Sequence, residues 1–94
     1  MASGNSSKNK IWTLYAYVVS SEYRKLIVKT LNVRPTMPKE ISELINKPQS
    51  HVSRALRQLE DKGIIVCINP QNKKGRIYRL TELGVEIAKL LLEL

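Results

Sequence analysis

Apolar residues recur along most of this chain at the spacing of an α-helix, and the places where that spacing fails divide it into elements. From Lys10 onward, Ile11, Leu14, Tyr15, Val18 and Val19 follow an i, i+3, i+4, i+7, i+8 pattern, which predicts a first helix with one apolar face. Ser20 and Ser21 interrupt it, and either can cap a second helix carrying Tyr23, Leu26, Ile27, Thr30 and Leu31 on one side. Arg34-Pro35 ends that helix, because a residue before proline is pushed out of the α region. Pro38 suits the first turn of a third, short helix, with Ile41, Leu44 and Ile45 facing inward. Asn46-Lys47-Pro48 breaks the pattern again. A fourth helix is expected over residues 49–62, closed by Gly63, the residue type that fits the left-handed position beyond a helix end.

After Gly63 the period shortens. Residues 64–68 are mostly β-branched and read as a strand, residues 69–75 are turn chemistry throughout, and residues 76–80 return as a second strand. Thr81 caps a last helix from residue 82 onward. The expected fold is therefore mainly α with a small β-hairpin (α+β). A small polar tail over residues 1–9 is expected to be disordered, and residues 10–94 to form a single domain.

With 94 residues, 43% of them hydrophobic, the chain has material for one thin core; domains this small often gain stability by pairing with a second copy. The terminal helices suggest where. Leu83, Ile87, Leu90, Leu91 and Leu94 form one apolar stripe and Val85, Ala88 and Leu92 another, so the last helix needs more than one surface to bury it. Trp12 lies off the main stripe of the first helix. Trp12, Tyr15, Val85, Ala88, Leu91 and Leu92 are the expected seam of a twofold homodimer; the alternative is one enlarged monomer core.

Charge narrows the partner. The formal net charge is +8, which favours a polyanion. Lys73, Lys74, Arg76 and Arg79 supply half of that excess from the hairpin alone, whereas the last helix is acidic. The third and fourth helices, joined by Asn46-Lys47-Pro48, make a helix-turn-helix candidate. In the fourth, Val52, Ala55, Leu56 and Leu59 share an inward stripe, while Ser50, Ser53, Arg54 and Arg57 repeat the spacing on the outside. Small hydroxyls near the N-terminus allow close approach to base edges, and an arginine can bond guanine bidentately or clamp a phosphate. Gln49 and His51 stand at the leading end. The competing reading leaves the arginines solvated, with Arg57 pairing Glu60 or Asp61 along the helix. Lys73, Lys74 and Arg76 flank Gly75 and are expected on the DNA backbone or in the minor groove.

The stretch Ser53-Arg54-x-Leu56-x-x-Leu59-Glu60-x-x-Gly63, followed by Lys74-Gly75-Arg76-x-Tyr78-x-Leu80-Thr81, resembles winged-helix regulators of the ArsR/MarR type in prokaryotes, especially their small archaeal form. The resemblance covers residues 18–84. It implies a winged helix-turn-helix with extra terminal helices, in which residues 49–62 are the recognition helix and residues 69–76 belong to a basic wing, bound to double-stranded DNA as a transcriptional regulator. Two departures stand out: the recognition helix lacks the Cys-containing box common in ArsR metal sensors, and Met37, beside Thr36, replaces a capping hydroxyl.

Other chemistry finds little support. One His and one Cys do not make a metal site, and Cys67 within an apolar run reads as a core residue. No phosphate-cradling glycine loop and no orienting carboxylate for His51 is visible, so neither a cofactor nor an enzyme activity is expected. The lone cysteine, the missing secretory signal and the missing membrane span suggest a cytoplasmic protein without membrane contact. A protein-interaction adaptor with weak, sequence-indifferent DNA binding is the alternative function. RNA binding is disfavoured because no exposed aromatic platform adjoins the basic hairpin.

Overall fold

The computed structural model describes residues 2–93, with side chains from Lys10 onward, as five helices and one antiparallel hairpin. The order is α1 (Ala2–Val19), α2 (Glu22–Val33), α3 (Pro38–Ile45), α4 (Gln49–Asp61), β1 (Ile65–Cys67), β2 (Tyr78–Leu80) and α5 (Glu82–Glu93). This is the expected α+β order. The helix expected from Lys10 is described from Ala2, and the disordered tail expected over residues 1–9 falls on side chains outside the described residues.

Each boundary has a local cause. Of the two candidate serines, Ser21 caps α2, its side chain accepting the Arg24 N–H at 3.3 Å. Asn46 turns the chain into the left-handed region (φ 57°) after α3, and no side chain caps that helix at Met37. At the end of α4, Gly63 takes φ 74°. Its N–H donates to Glu60 O and that of Ile64 to Leu59 O, both at 3.0 Å. These two bonds close a Schellman motif that only a residue tolerant of positive φ fits easily.

One core unites the helices and the hairpin. Val18, Ile27, Val28, Ile41, Val52, Leu59, Ile64 and Ile87 are wholly buried. Two positions depart from the expected pattern. Val28, not assigned to the inner face, is buried, while Leu44 is 60% exposed. In a helix of eight residues, Ile41 and Ile45, one turn apart, take the inward line, and Leu44 falls beside it into a cleft against α2.

The strands are shorter than expected and pair Ile65 with Leu80, Val66 with Arg79 and Cys67 with Tyr78. Asn69 explains the shortening. Its Oδ1 accepts the Ile77 N–H at 2.8 Å and its Nδ2 donates to Gly75 O at 3.0 Å. Beyond Cys67 a side chain thus takes one of the two bonds of the next pair, and only Ile68 N–H to Ile77 O, at 2.9 Å, continues the backbone ladder. Thr36 adds a third, one-residue strand: its N–H donates to Tyr78 O and its O accepts the Tyr78 N–H, both at 3.0 Å. The hairpin is thereby tied to the segment that leads into α3. In that segment Arg34 pairs with Glu40. The hydrogen bond from Arg34 first, and then the charge of its guanidinium, hold the Glu40 carboxyl below its ordinary range against the opposing effect of desolvation. That contribution to stability exists above the carboxylate range and disappears as pH falls through the lowered value; in an exposed pair it is small.

Thr81 joins the last helix to the hairpin. Its hydroxyl accepts the Gly84 N–H at 3.1 Å and donates to Gly63 O at 2.7 Å, while its own N–H donates to Ile64 O at 3.0 Å. Thr81→Ala is expected to cost about 1–2 kcal/mol, lowering the Tm by roughly 4–8 °C per kcal/mol. Thr81→Ser should restore most of the loss in a thermal melt at the same protein concentration.

Candidate nucleic-acid interface

α4 is anchored on its inner side by Val52, Ala55, Leu56 and Leu59, all buried as expected. Its N-terminal end follows Pro48 and carries no side-chain cap, which leaves the positive end of the helix available to an anion. Gln49, Ser50, His51, Ser53, Arg54 and Arg57 are all exposed. Neither Arg54 nor Arg57 enters a hydrogen bond or ion pair among the described residues, so the pairing of Arg57 with Glu60 or Asp61 is not formed.

The expected site residues divide around the helix axis. Gln49, Ser53, Lys73, Lys74 and Arg76 come together along one groove of about 520 Å3 between α4, the start of α3 and the hairpin tip. Arg57 lines a smaller recess continuous with it, shared with Ser53 and Arg76. His51 and Arg54 line a different notch, toward α2. Helix geometry accounts for this: residues three apart point about 60° apart, so Arg57 leans to the hairpin and Arg54 away from it. Ser50 stands between the two flanks.

Two features were not legible in the sequence. Lys39, in the first turn of α3, lines the groove beside the hairpin lysines; its exposed position next to Pro38 was the available signal. Arg76 is exposed, yet its Nε donates to Asn72 O at 2.9 Å and its terminal nitrogen to Pro70 O at 3.4 Å. It braces the hairpin tip, leaving Lys73 and Lys74 as the free cations there. Arg79 points outward and donates to Leu80 O.

The expected seam residues also divide. Trp12 and Leu92 are 53% and 65% exposed, Val85 is exposed, and Tyr15 and Leu91 are half-buried. Trp12 meets Tyr15 edge-on at 5.7 Å. Ala88 corrects the expectation: at 1% exposure it lies inside the protomer's own core, because the inward line of α5 runs through Gly84, Ile87 and Ala88. Among the described residues, no three His, Cys, Asp or Glu side chains are grouped to hold a metal ion, and no helix is long and apolar enough to cross a membrane.

Residues 21–66 match the model of a family described as bacterial regulatory protein, arsR family. That segment is just under half of the chain and holds α2, the helix-turn-helix of α3 and α4, and the start of the hairpin. Among solved structures, the transcriptional repressor BigR from Xylella fastidiosa superposes with a TM-score of 0.79 at 24% identity, over 99% of this chain and 91% of that one. Quinone-bound YodB from B. subtilis gives 0.67 at 26% identity, covering 83% of each chain. A mutant of ZitR from Lactococcus lactis gives 0.69 at 22%, over 78% of this chain; the present chain spans only 51% of its length. No curated protein sequence matches the chain. The fold is that of winged-helix regulators, with the hairpin as wing and α4 in the place of the recognition helix.

Proposed function

We propose that this chain is an arsR-type transcriptional regulator that binds double-stranded DNA sequence-specifically as a homodimer, without catalytic activity or cofactor, in the cytoplasm. α4 enters the major groove and the wing follows the backbone or the adjacent minor groove. The observation that carries this reading is the set of unpaired cations, Arg54, Arg57, Lys73 and Lys74, exposed on and beside one firmly anchored helix. Trp12 and Leu92, exposed on the terminal helices, support pairing through α1 and α5. A dimer would present two recognition helices about one DNA turn (~34–36 Å) apart.

Selection of fragments from random duplexes tests this reading. The expected result is a quasi-palindrome with half-sites about one turn apart, bound by a species twice the 10.7 kDa chain mass in sedimentation. Lys73→Ala should weaken binding to selected and scrambled duplexes alike and reduce the salt slope by about 0.9 for each phosphate that is no longer neutralised. Recovery of no common sequence, or a 10.7 kDa species at micromolar concentration, would count against the proposal. An adaptor role is the second reading, favoured by the exposure of Val33 (80%) and Leu44 on the cleft between α2 and α3; it predicts sequence-indifferent binding in the same selection.

A further inference from the structure

A corner between α2 and α4 lies apart from the groove that α4 shares with the wing. There the rings of Tyr23 and His51 stack, with centroids 5.6 Å apart and planes 24° apart. The Lys47 ammonium sits 5.5 Å from the centroid of the same Tyr23 ring. Tyr23, His51 and Arg54 line a notch of about 210 Å3, floored by Arg24 and Gln58. Three elements thus converge: α2 brings Tyr23, the turn brings Lys47, and α4 brings His51 and Arg54.

The hydrogen bonding of this corner is one-sided. Arg24 is committed to the protein, donating to Tyr17 O at 2.8 Å, Gln58 Oε1 at 2.9 Å and Ser20 Oγ at 2.8 Å. The Tyr23 hydroxyl, Lys47 ammonium, His51 ring and Arg54 guanidinium take part in no hydrogen bond or ion pair among the described residues. No carboxylate lines the notch. A concave cluster of free donors, a lysine and an arginine among them, matches the acceptor-only oxygens of a phosphate.

Its place on the helix says which phosphate. Gln49 and Ser53 lie on the wing flank of α4, and His51 and Gln58 on the opposite flank. A helix seated in a major groove about 12 Å wide has one sugar–phosphate backbone on each side. Resting on the DNA reading above, we infer that Tyr23, Lys47 and His51 form a seat for a backbone phosphate across the major groove from the backbone met by Lys73 and Lys74, with Arg54 at its rim left to reach base edges. Tyr23 holds the His51 ring by stacking and offers its hydroxyl, and Lys47 supplies the charge. The recognition helix is then fixed from both sides, which sets its depth and register before any base is read.

The probe is a duplex recovered from the random pool, with single phosphates replaced by neutral methylphosphonates. The protein as it stands should be sensitive at two groups of phosphates flanking each half-site, one on each strand. Lys47→Ala should abolish sensitivity in one group, leave the wing-side group intact, and lower affinity for selected and scrambled duplexes by the same factor, about tenfold. Lys73→Ala should show the reverse pattern. Tyr23→Phe keeps the stack, removes the hydroxyl, and should give a smaller loss at the same phosphate. Lys47→Met, which keeps most of the aliphatic length and removes the charge, replaces the alanine variant if that fails to fold. Sensitivity on the wing side alone, or a Lys47 variant whose pattern matches the parent, overturns this seat and leaves the DNA reading standing. No sensitive phosphate on either strand overturns both.

Discussion

Gly84→Ala is expected to destabilise the protein by about 3 kcal/mol or more, although alanine is the better helix former. Propensity alone would favour the alanine by about 1 kcal/mol. Sterics decide otherwise, because a Cβ at this position would lie 2.2 Å from Ile64 O and 3.1–3.2 Å from two Leu80 side-chain carbons. The obstacle is backbone, and that carbonyl already accepts the Thr81 N–H, so it cannot swing aside without breaking the tie between hairpin and last helix. Overpacking of this kind costs about 1–3 kcal/mol and sometimes more, out of a total stability of about 5–15 kcal/mol. A thermal melt should show the Tm falling by roughly 12–24 °C. Gly63→Ala is the comparison. Nothing lies within 4 Å of its added Cβ, and the cost is only the left-handed backbone, about 1–2 kcal/mol. A Gly84→Ala protein melting at or above the parent temperature would refute the close approach of α5 to Ile64 and β2.

The second large effect is on binding. Arg54→Ala and Arg57→Ala should each leave the fold within about 0.5 kcal/mol of the parent, since both side chains are exposed and unpaired. Each should weaken binding to a selected duplex by about 1–3 kcal/mol per half-site, the worth of a bidentate base contact. A dimer carries two copies, so the effect per operator doubles. Lys73→Ala acts differently, because a phosphate contact carries no sequence information. Fluorescence anisotropy at fixed salt, on selected and scrambled duplexes, separates the two behaviours.

How far the sequence foretold this site depends on what kind of contact is asked about. The inward stripe of α4 and the cap at Gly63 are local, set by the spacing of Val52, Ala55, Leu56 and Leu59 and by one flexible residue, and the structure repeats them. Thr81 likewise declares itself by preceding an apolar period. The missed features depend on what lies beside an element. Periodicity places Leu44 on the apolar side of α3 but does not say that α2 leaves that edge open. It assigns Ala88 to a second stripe, yet the bare Gly84 surface lets α5 press close enough to bury it. The bridge from Thr36 to Tyr78 joins residues far apart in sequence, and the engagement of Arg76 by Pro70 and Asn72 depends on the hairpin's own closure. A count of cations finds the basic wing; only the folded chain separates the one that braces its tip from those left unpaired.

The central claim is that the outward side of α4 reads base sequence. The measurement that tests it most directly is the ratio of affinities for selected and scrambled duplexes, taken with a protein carrying both Arg54→Ala and Arg57→Ala. The ratio should collapse toward one while scrambled-duplex binding falls only modestly. A ratio equal to that of the parent protein would contradict the claim.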